Sequence, residues 1–585
     1  MNRQDRRKQA KQTKGGGRAS KAASHVFRGE QLAGMGEVDG AIKAFRRAIF
    51  INPQNADAHY NLGVLLRNQG HLNDAVENYI KVTAIQPDYI NAHYNLGNIL
   101  KELGRLEEAA SSYQTVLSIQ GDHIDARNNL GTVLQDLGRP EDALAIYHSA
   151  LEIKPEYAEG LTNFGNALQD LGRFEESITS YTKALKIQPG NARTHCNLGK
   201  AYEELGQLNE AIKSLRMALS LTPNYAEAHC NLGAVYKGMG QVEKSVKSFR
   251  NAVGVEPKHA ESHNNLALAL FQLGNIKEGW EEYKWRRKSS TYNSKTRTFP
   301  QPQWDGTPLT DKKILLWGEQ GLGDEIRYAS MIPDLLNAGA NISIECEKRL
   351  VDLFTRSFVG TDVHAAPYVT AESGEIKYDY QCSFPDLGQF LRPSIECFHP
   401  ASNAYLFADP ELKSLWKKRL LKLSDRPKIG IIWRGGISNR EHSAFYATIK
   451  ELEPVLTIPE VNFINLMYEE CEMERNEALY LYNTEIHTWS DLDLKNDQDS
   501  LAALISCLDL VICCLSAPGE LAGALGVPTF NFISDKAHVQ MLGTGDNAWH
   551  SSIRYFSKEL NASWQPVLND IAVCTKAKCS PRPSS

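Results

Sequence analysis

The apolar and polar positions of this chain follow two rhythms. From Ala22 onward apolar residues recur at helical spacing, and the whole pattern repeats every 34 residues. The phrase Asn-Leu-Gly, or a near copy, begins at Asn61, Asn95, Asn129, Asn163, Asn197, Asn231 and Asn265. A glycine follows nine positions later (Gly70, Gly104, Gly138 and so on), then a small residue (Ala75, Ala109, Ala143) and an aromatic or Leu (Tyr79, Tyr113, Tyr147). A proline closes most units, as at Pro53, Pro87 and Pro155. Each unit therefore predicts two helices. Glycine ends the first and makes the turn, the small residue lets the helices approach, and proline ends the second. One more unit precedes the seven, with Phe27 where the others carry Asn, so eight units cover residues 22–293.

At Lys312 the rhythm changes to short apolar runs bounded by turn residues. Strands are predicted at Lys313–Gly318, Asn341–Cys346, near Val363 and at Tyr378–Phe384, with helices at Glu325–Ala338 and Lys348–Phe358. After a helix over 408–424, further strands are predicted at Lys428–Trp433, Asn462–Met467, Glu485–Trp489, Leu508–Leu515 and Thr529–Ile533. Helices fall at Ala447–Leu456 and Ser500–Cys507. Strand–helix alternation indicates parallel α/β structure. The fold class is an all-α repeat solenoid followed by α/β, with halves at 312–407 and 408–573. Residues 294–311 read as a linker, and 1–21 and 574–585 as disordered tails.

Three strand ends could carry chemistry. In Gly318–Asp324 (GEQGLGD), Gly321 and Gly323 allow close backbone approach to a ligand. Asp324 begins the next helix; taken alone it reads first as an N-cap, and in a cleft as a general base. In the stretch after Ile432, Arg434, Gly435, Gly436 and Arg440 offer cations and open backbone for a phosphate. A surface Arg after a turn is the equal alternative. The third is the turn Ser516–Gly519 with Glu520, between a buried strand and a helix of small residues predicted at Leu521–Leu525. Unpaired N–H groups there attract anions. Close helix–sheet packing explains the small residues more simply. The acidic run Asp491, Asp493, Asp497 and Asp499 reads as capping for the Ser500 helix, ahead of a Mg²⁺ site.

Each repeated Asn precedes a core Leu and therefore points away from the core, towards an inner groove. Such an amide row can bond any extended backbone, or it can bond between neighbouring repeats; seven in register favour the first. Asn61, Asn95, Asn129, Asn163, Asn197, Asn231 and Asn265 are thus candidate peptide-binding residues.

The 34-residue signature resembles the tetratricopeptide repeat. Residues 56–270, with their Asn row, resemble the repeats of O-linked N-acetylglucosamine transferases, whose groove receives protein substrates. Residues 304–570 resemble repeat-fused bacterial glycosyltransferases and, more distantly, ADP-heptose heptosyltransferases. The matching phrases are WGEQGLGDEIRYASMIPDL, IGIIWRGG, DLDLKND, LAALISCLDLVI and ELAGALGVPTF. The resemblance implies the glycosyltransferase B fold of two Rossmann-like halves. A nucleotide-diphosphate sugar would serve as co-substrate, bound mainly by the C-terminal half, with no metal required. It also implies that Asp324 matches the proposed heptosyltransferase base. Three positions depart from the pattern: Glu520 where His is usual, Met467 where Gln is common, and Pro518 where a small hydroxyl or alanine stands. Glu520 in the first turn would repel a diphosphate placed on the same N–H groups. Donor binding altered or lost is therefore the alternative, leaving a non-catalytic repeat scaffold.

Charge and cysteine usage narrow the setting. Net charge is −6, but residues 1–22 carry +7, so the remainder is −13 and offers no general basic surface for nucleic acid. No apolar run is long and charge-free enough to span a bilayer. The eleven cysteines are scattered without a C-x-x-C pair, which fits a reduced, cytoplasmic protein without a zinc site.

Overall fold

The computed structural model describes residues 20–289, 292, 297–319, 321–367, 378–398, 404–435, 445–534, 541–559 and 562–579. The chain divides into two compact units, Met1–Asn231 and Leu232–Ser585. The division falls inside the helix Ala226–Gly238.

The first unit is a stack of helix pairs, from residues 20–34 through Leu208–Leu221. Each pair turns on a left-handed glycine: Gly70 has φ +80° and Gly104 +72°. At the first of these the N–H of Gly70 bonds the carbonyl of Arg67, and that of His71 the carbonyl of Leu66, closing the helix end. Ala75, Ala109 and Ala143 are fully buried between helices, as expected. The glycine of the Asn-Leu-Gly phrase also has a steric task. A Cβ on Gly131 would lie 2.5 Å from Tyr147 Cε1, and one on Gly165 2.6 Å from Tyr181 Cε1. The repeated Tyr fills the space that this second glycine leaves, which the turn-centred reading of the repeat did not anticipate.

The second unit begins with three further helices, Val242–Val255, Ala260–Gln272 and Ile276–Tyr283, followed by a tight turn of helix at Lys284–Lys288. Ten strands follow. β1 (Lys313–Trp317), β2 (Asn341–Cys346), β3 (Asp362–Ala365) and β4 (Tyr380–Ser383) form a parallel sheet in the order β3-β2-β1-β4. β5 (Lys428–Ile432), β6 (Asn462–Asn465), β7 (Ile486–His487), β8 (Leu510–Cys513), β9 (Thr529–Ile533) and β10 (Ile553–Ser557) form a second, in the order β10-β9-β8-β5-β6-β7. β5, β6, β8 and β9 are buried along their whole length, the pattern of a parallel sheet covered on both faces.

Several boundaries differ from expectation. The helix predicted at Glu325–Ala338 is two, Leu322–Ala329 and Ile332–Asn337, because Pro333 lacks the N–H needed to continue one. Ala447–Leu456 shrinks to Glu453–Leu456, with Pro454 in its first turn. The helix expected at Leu521 starts at Ala517, since Pro518 suits a first turn. The strand Glu485–Trp489 is only Ile486–His487. Helix Glu472–Tyr482 and strand β10 were not anticipated. The final helix runs Gln565–Cys579, so residues 574–579 of the supposed tail are helical, with Thr575 buried. The linker reading of 294–311 also needs correction: Trp304 and Leu309 are buried, and Gln303 pairs with Gln381 of β4. Of the first supposed tail, residues 20 and 21 are already helical; residues 1–19 and 580–585 lie outside the described residues.

Candidate functional site

In each sheet of the second unit the strand order reverses next to its first strand, between β1 and β4 and between β5 and β8. Parallel sheets bind ligands in the crevice outside the carboxyl ends at such points. The sequence candidates lie there: Gly318–Asp324 after β1, Arg434 and Gly435 after β5, and Ser516–Glu520 after β8.

The two sheets bring two of these turns together. Gly323 sits against the first turn of the helix Ala517–Ala524; a Cβ there would be 3.4 Å from Ala517 Cα and 3.7 Å from Glu520 Cγ. The N-cap of the helix Leu322–Ala329 is Gly321, so Asp324 stands in the first turn and is not the cap. Its side chain is about one-third exposed and accepts a 2.8 Å bond from Arg327 Nη1. Desolvation raises its carboxyl above the usual range; Arg327 opposes the rise and the Glu520 charge adds to it.

Arg327 reaches across to the second sheet, where Nη2 lies 2.7 Å from Glu520 Oε1. Glu520 Oε2 accepts from His550 Nε2 at 2.9 Å. Glu520 is buried, and burial alone would raise its pKa, but the Arg327 charge and the His550 bond overcome this and bring it down to about 2. Glu520 was assigned to the donor from sequence; both its oxygens are committed to Arg327 and His550, and its charge is compensated there. The repulsion expected between Glu520 and a diphosphate is correspondingly reduced.

Arg434 is likewise occupied. Its Nε and Nη2 grip Glu474 at 2.7 and 2.8 Å, so the cation offered to a phosphate is tied to the helix after β6. Gly435 makes room for Tyr446, whose hydroxyl would be 2.5 Å from an added Cβ. Gly436 and Arg440 lie outside the described residues. Ser516 Oγ donates to the Cys514 carbonyl at 3.1 Å and does not cap the following helix. Gly519 is needed for close packing, its Cβ position being 2.9 Å from Cys513 Sγ. Gly321 has open space around it. Of the acidic run read as capping, Asp497 caps its helix through Ser500 N–H at 2.9 Å, while Asp491 pairs with Arg419 and Asp499 with Arg356.

The crevice between β1 and β4 is filled from within the unit. Arg286 Nε bonds Glu319 Oε2 at 2.7 Å, and its Nη2 lies 2.7 Å from Asp386 Oδ1. Arg287 joins the same two carboxylates and donates to Ser383 Oγ at 2.7 Å. Glu319 ends the β1 edge and Asp386 follows β4, so the last repeat seals this sheet end. Trp280 adds an indole bond to the Arg392 carbonyl at 2.9 Å. The aromatic and arginine side chains of residues 280–287 thus fasten the end of the repeats within this unit to the segments after β1 and β4. Arg327, His550, Glu319 and Asp386 went unsingled in the sequence; only the pairing across strands gives them a role.

The Asn row lies half-buried in the repeats, except for Asn163, which is buried. Asn95 donates to Tyr60 Oη at 3.1 Å, Asn129 to Asn98 Oδ1 at 3.0 Å, Asn163 to Asn128 Oδ1 at 2.9 Å and Asn197 to Asn166 Oδ1 at 2.8 Å. Asn61 bonds Glu30 at 3.2 Å, and Asn231 bonds Cys196 Sγ at 3.4 Å. These six amide N–H groups therefore link each repeat to the one before. Their Oδ1 atoms make no hydrogen bond among the described residues, and remain as acceptors. Asn265 is half-buried in the helix Ala260–Gln272.

Comparison with known proteins bears on the repeats. A family described as TPR repeat matches residues 29–70, 65–104, 165–206 and 204–240, and tetratricopeptide-repeat families match 88–156 and 226–259. The chain thus carries tetratricopeptide repeats, a protein-interaction motif, over residues 29–259. It is 35% identical over 320 residues to Protein FlbA of Caulobacter vibrioides, covering 52% of this chain and 53% of that protein. The chain therefore spans about half the length of that curated relative. Among solved structures it is similar to YrrB, described as a TPR protein with an unusual peptide-binding site, at 26% identity and TM-score 0.29, over 32% of this chain and 96% of that one. It is also similar to a tetratricopeptide repeat protein from Parabacteroides merdae, at 18% identity and TM-score 0.37, over 43% and 99%. Among the described residues no helix is long and apolar enough to cross a membrane.

Proposed function

We propose that this protein is a glycosyltransferase of the B-fold type, moving a sugar from a nucleotide diphosphate to a protein or glycan hydroxyl. The observation that carries this reading is the apposition of Gly323 and Ala517, which sets Asp324 beside the helix turn after β8 at facing sheet ends. In this reading Asp324 takes the acceptor proton, helped by the desolvation that raises its carboxyl. The free N–H groups of the Ala517–Ala524 helix and its dipole offset charge on the leaving diphosphate, without a metal ion. Arg327 orients Asp324 by its 2.8 Å bond. The β7-β6-β5-β8-β9-β10 order is that of Rossmann-like nucleotide-binding halves, which supports the C-terminal half as donor site. Acceptor polypeptide would lie along the repeats, its backbone N–H groups bonding the Asn Oδ1 row.

A second reading is a non-catalytic scaffold, and the commitment of Arg434 to Glu474 and of Glu520 to Arg327 favours it. Calorimetric titration of the folded chain with UDP-, GDP- and ADP-sugars separates the two. Heat from one donor, with sugar transfer that falls at least about a hundredfold in Asp324→Asn, supports the transferase. Silence with every donor supports the scaffold.

A further inference from the structure

A cavity of about 430 Å³ lies between segments that flank the two sheets. Ser330, Asn337, Ser357 and Phe358 line it, and they close the helices that lead back into β2 and β3. Trp549 and His550 line it from the segment entering β10. The volume is within the range of small-molecule sites, about 300–1,000 Å³.

Its walls specify a ligand. Phe358, Phe398, Tyr405 and Trp549 present aromatic surface. Trp549 is held edge-on between Tyr328 at 5.2 Å and Phe398 at 4.8 Å. The charges at the wall cancel, since Arg392 pairs with Asp334 at 2.5 Å. His550 adds a polar ring to this wall. His550 is 3% exposed, and its Nε2 lies 2.9 Å from Glu520. A carboxylate only accepts, so Nε2 carries the hydrogen, and Nδ1 of the neutral ring is an acceptor. Nδ1 makes no hydrogen bond among the described residues, while the Tyr405 ring stacks over the imidazole at 5.9 Å. As part of the cavity wall the ring can offer this acceptor to an occupant.

We infer that this cavity is a binding site for a small neutral aromatic molecule carrying one N–H or O–H donor, seated between the rings with its donor on His550 Nδ1. Tyr405 fixes one side of the seat by donating its hydroxyl to the Ile326 carbonyl at 2.7 Å. The occupant touches segments of both sheets at once. Through His550, Glu520 and Arg327 it adjoins the only ion pair described between the helices Leu322–Ala329 and Ala517–Ala524. Occupancy therefore stiffens that junction. None of this rests on sugar transfer.

Indole is the probe, and 1-methylindole is the same ring without the donor. Calorimetry on the full chain should show indole binding at one site at millimolar concentration or below. 1-Methylindole should bind about fivefold or more weakly. Ala548→Phe, which fills the cavity, should lose indole binding. Should that variant misfold, Asn337→Trp at the exposed rim carries the same expectation. Hydrogen exchange in residues 322–329 and 517–524 should slow with indole. Indole silent at millimolar concentration, equal affinity for both probes, or a folded filled variant that binds as wild type each overturns the site.

Discussion

Replacing Glu520 with Gln tests the electrostatics of the junction between the two sheets. The glutamate is buried, with Arg327 at 2.7 Å and His550 at 2.9 Å. Its carboxyl falls from 4.5 to about 2 in the fold, worth about 3 kcal/mol at pH 7. That agrees with the roughly 3–5 kcal/mol lost when one partner of a buried pair is removed. A carboxyl depressed by folding stabilises fully above its unfolded pKa, and the contribution is lost as pH falls from 4.5 towards 2. Glu520→Gln mimics the protonated side chain. The gap between wild type and variant should therefore shrink from about 3 kcal/mol at pH 7 to about 1 kcal/mol at pH 3. The assay is built into the chain, because all nine tryptophans lie in residues 232–585. Their emission in urea follows this unit alone. A gap that is the same at pH 7 and pH 3, or below about 1 kcal/mol at pH 7, would show that Glu520 is not held ionised by Arg327 and His550.

Arg286→Ala should cost about 3–5 kcal/mol by the same emission assay, since it strands Glu319 and Asp386 with Arg287 alone; a loss under about 1 kcal/mol would mean that the crevice after β1 is not sealed by this pair. Gly131→Ala places a Cβ 2.5 Å from Tyr147 Cε1 and should destabilise the first unit by about 1–3 kcal/mol, read as a lower melting temperature in far-UV circular dichroism. Asn129→Ala removes donors to Tyr94 and Asn98 and should cost only about 1 kcal/mol in the same melt, a larger loss pointing to a core role in place of a groove role. Glu325 is pushed by burial up to about 8, so wild-type stability should decline as pH rises from 4.5 to 8. Glu325→Gln should not share that decline, and urea midpoints by tryptophan emission at pH 5 and pH 8 will show it.

The repeats were legible because one rule is written many times. Gly70 and its successors take left-handed φ, Ala75 and its successors are buried, and a chance match at that spacing would not recur in register. Strands β1, β2, β5, β6, β8 and β9 were legible as buried apolar runs, whereas β10, half-exposed along its length, was not. Legibility failed where one residue's state depends on another far along the chain. Glu520 read as an isolated first-turn carboxylate facing a phosphate, because Arg327 stands 193 positions away and His550 30 away. The phrase Gly318–Asp324 read as one ligand loop, yet Glu319 turns to the repeats while Gly323 sits against the helix after β8 and Asp324 bonds Arg327 of its own helix. The Asn row showed a different limit. Spacing placed it on one face, but an amide has a donor end and an acceptor end, and periodicity is blind to which is used up. For the six asparagines of the first unit the donor end goes to the preceding repeat, leaving the acceptor end. A chain bound along that row must therefore present N–H groups, which favours extended backbone and disfavours a proline in register with any Asn.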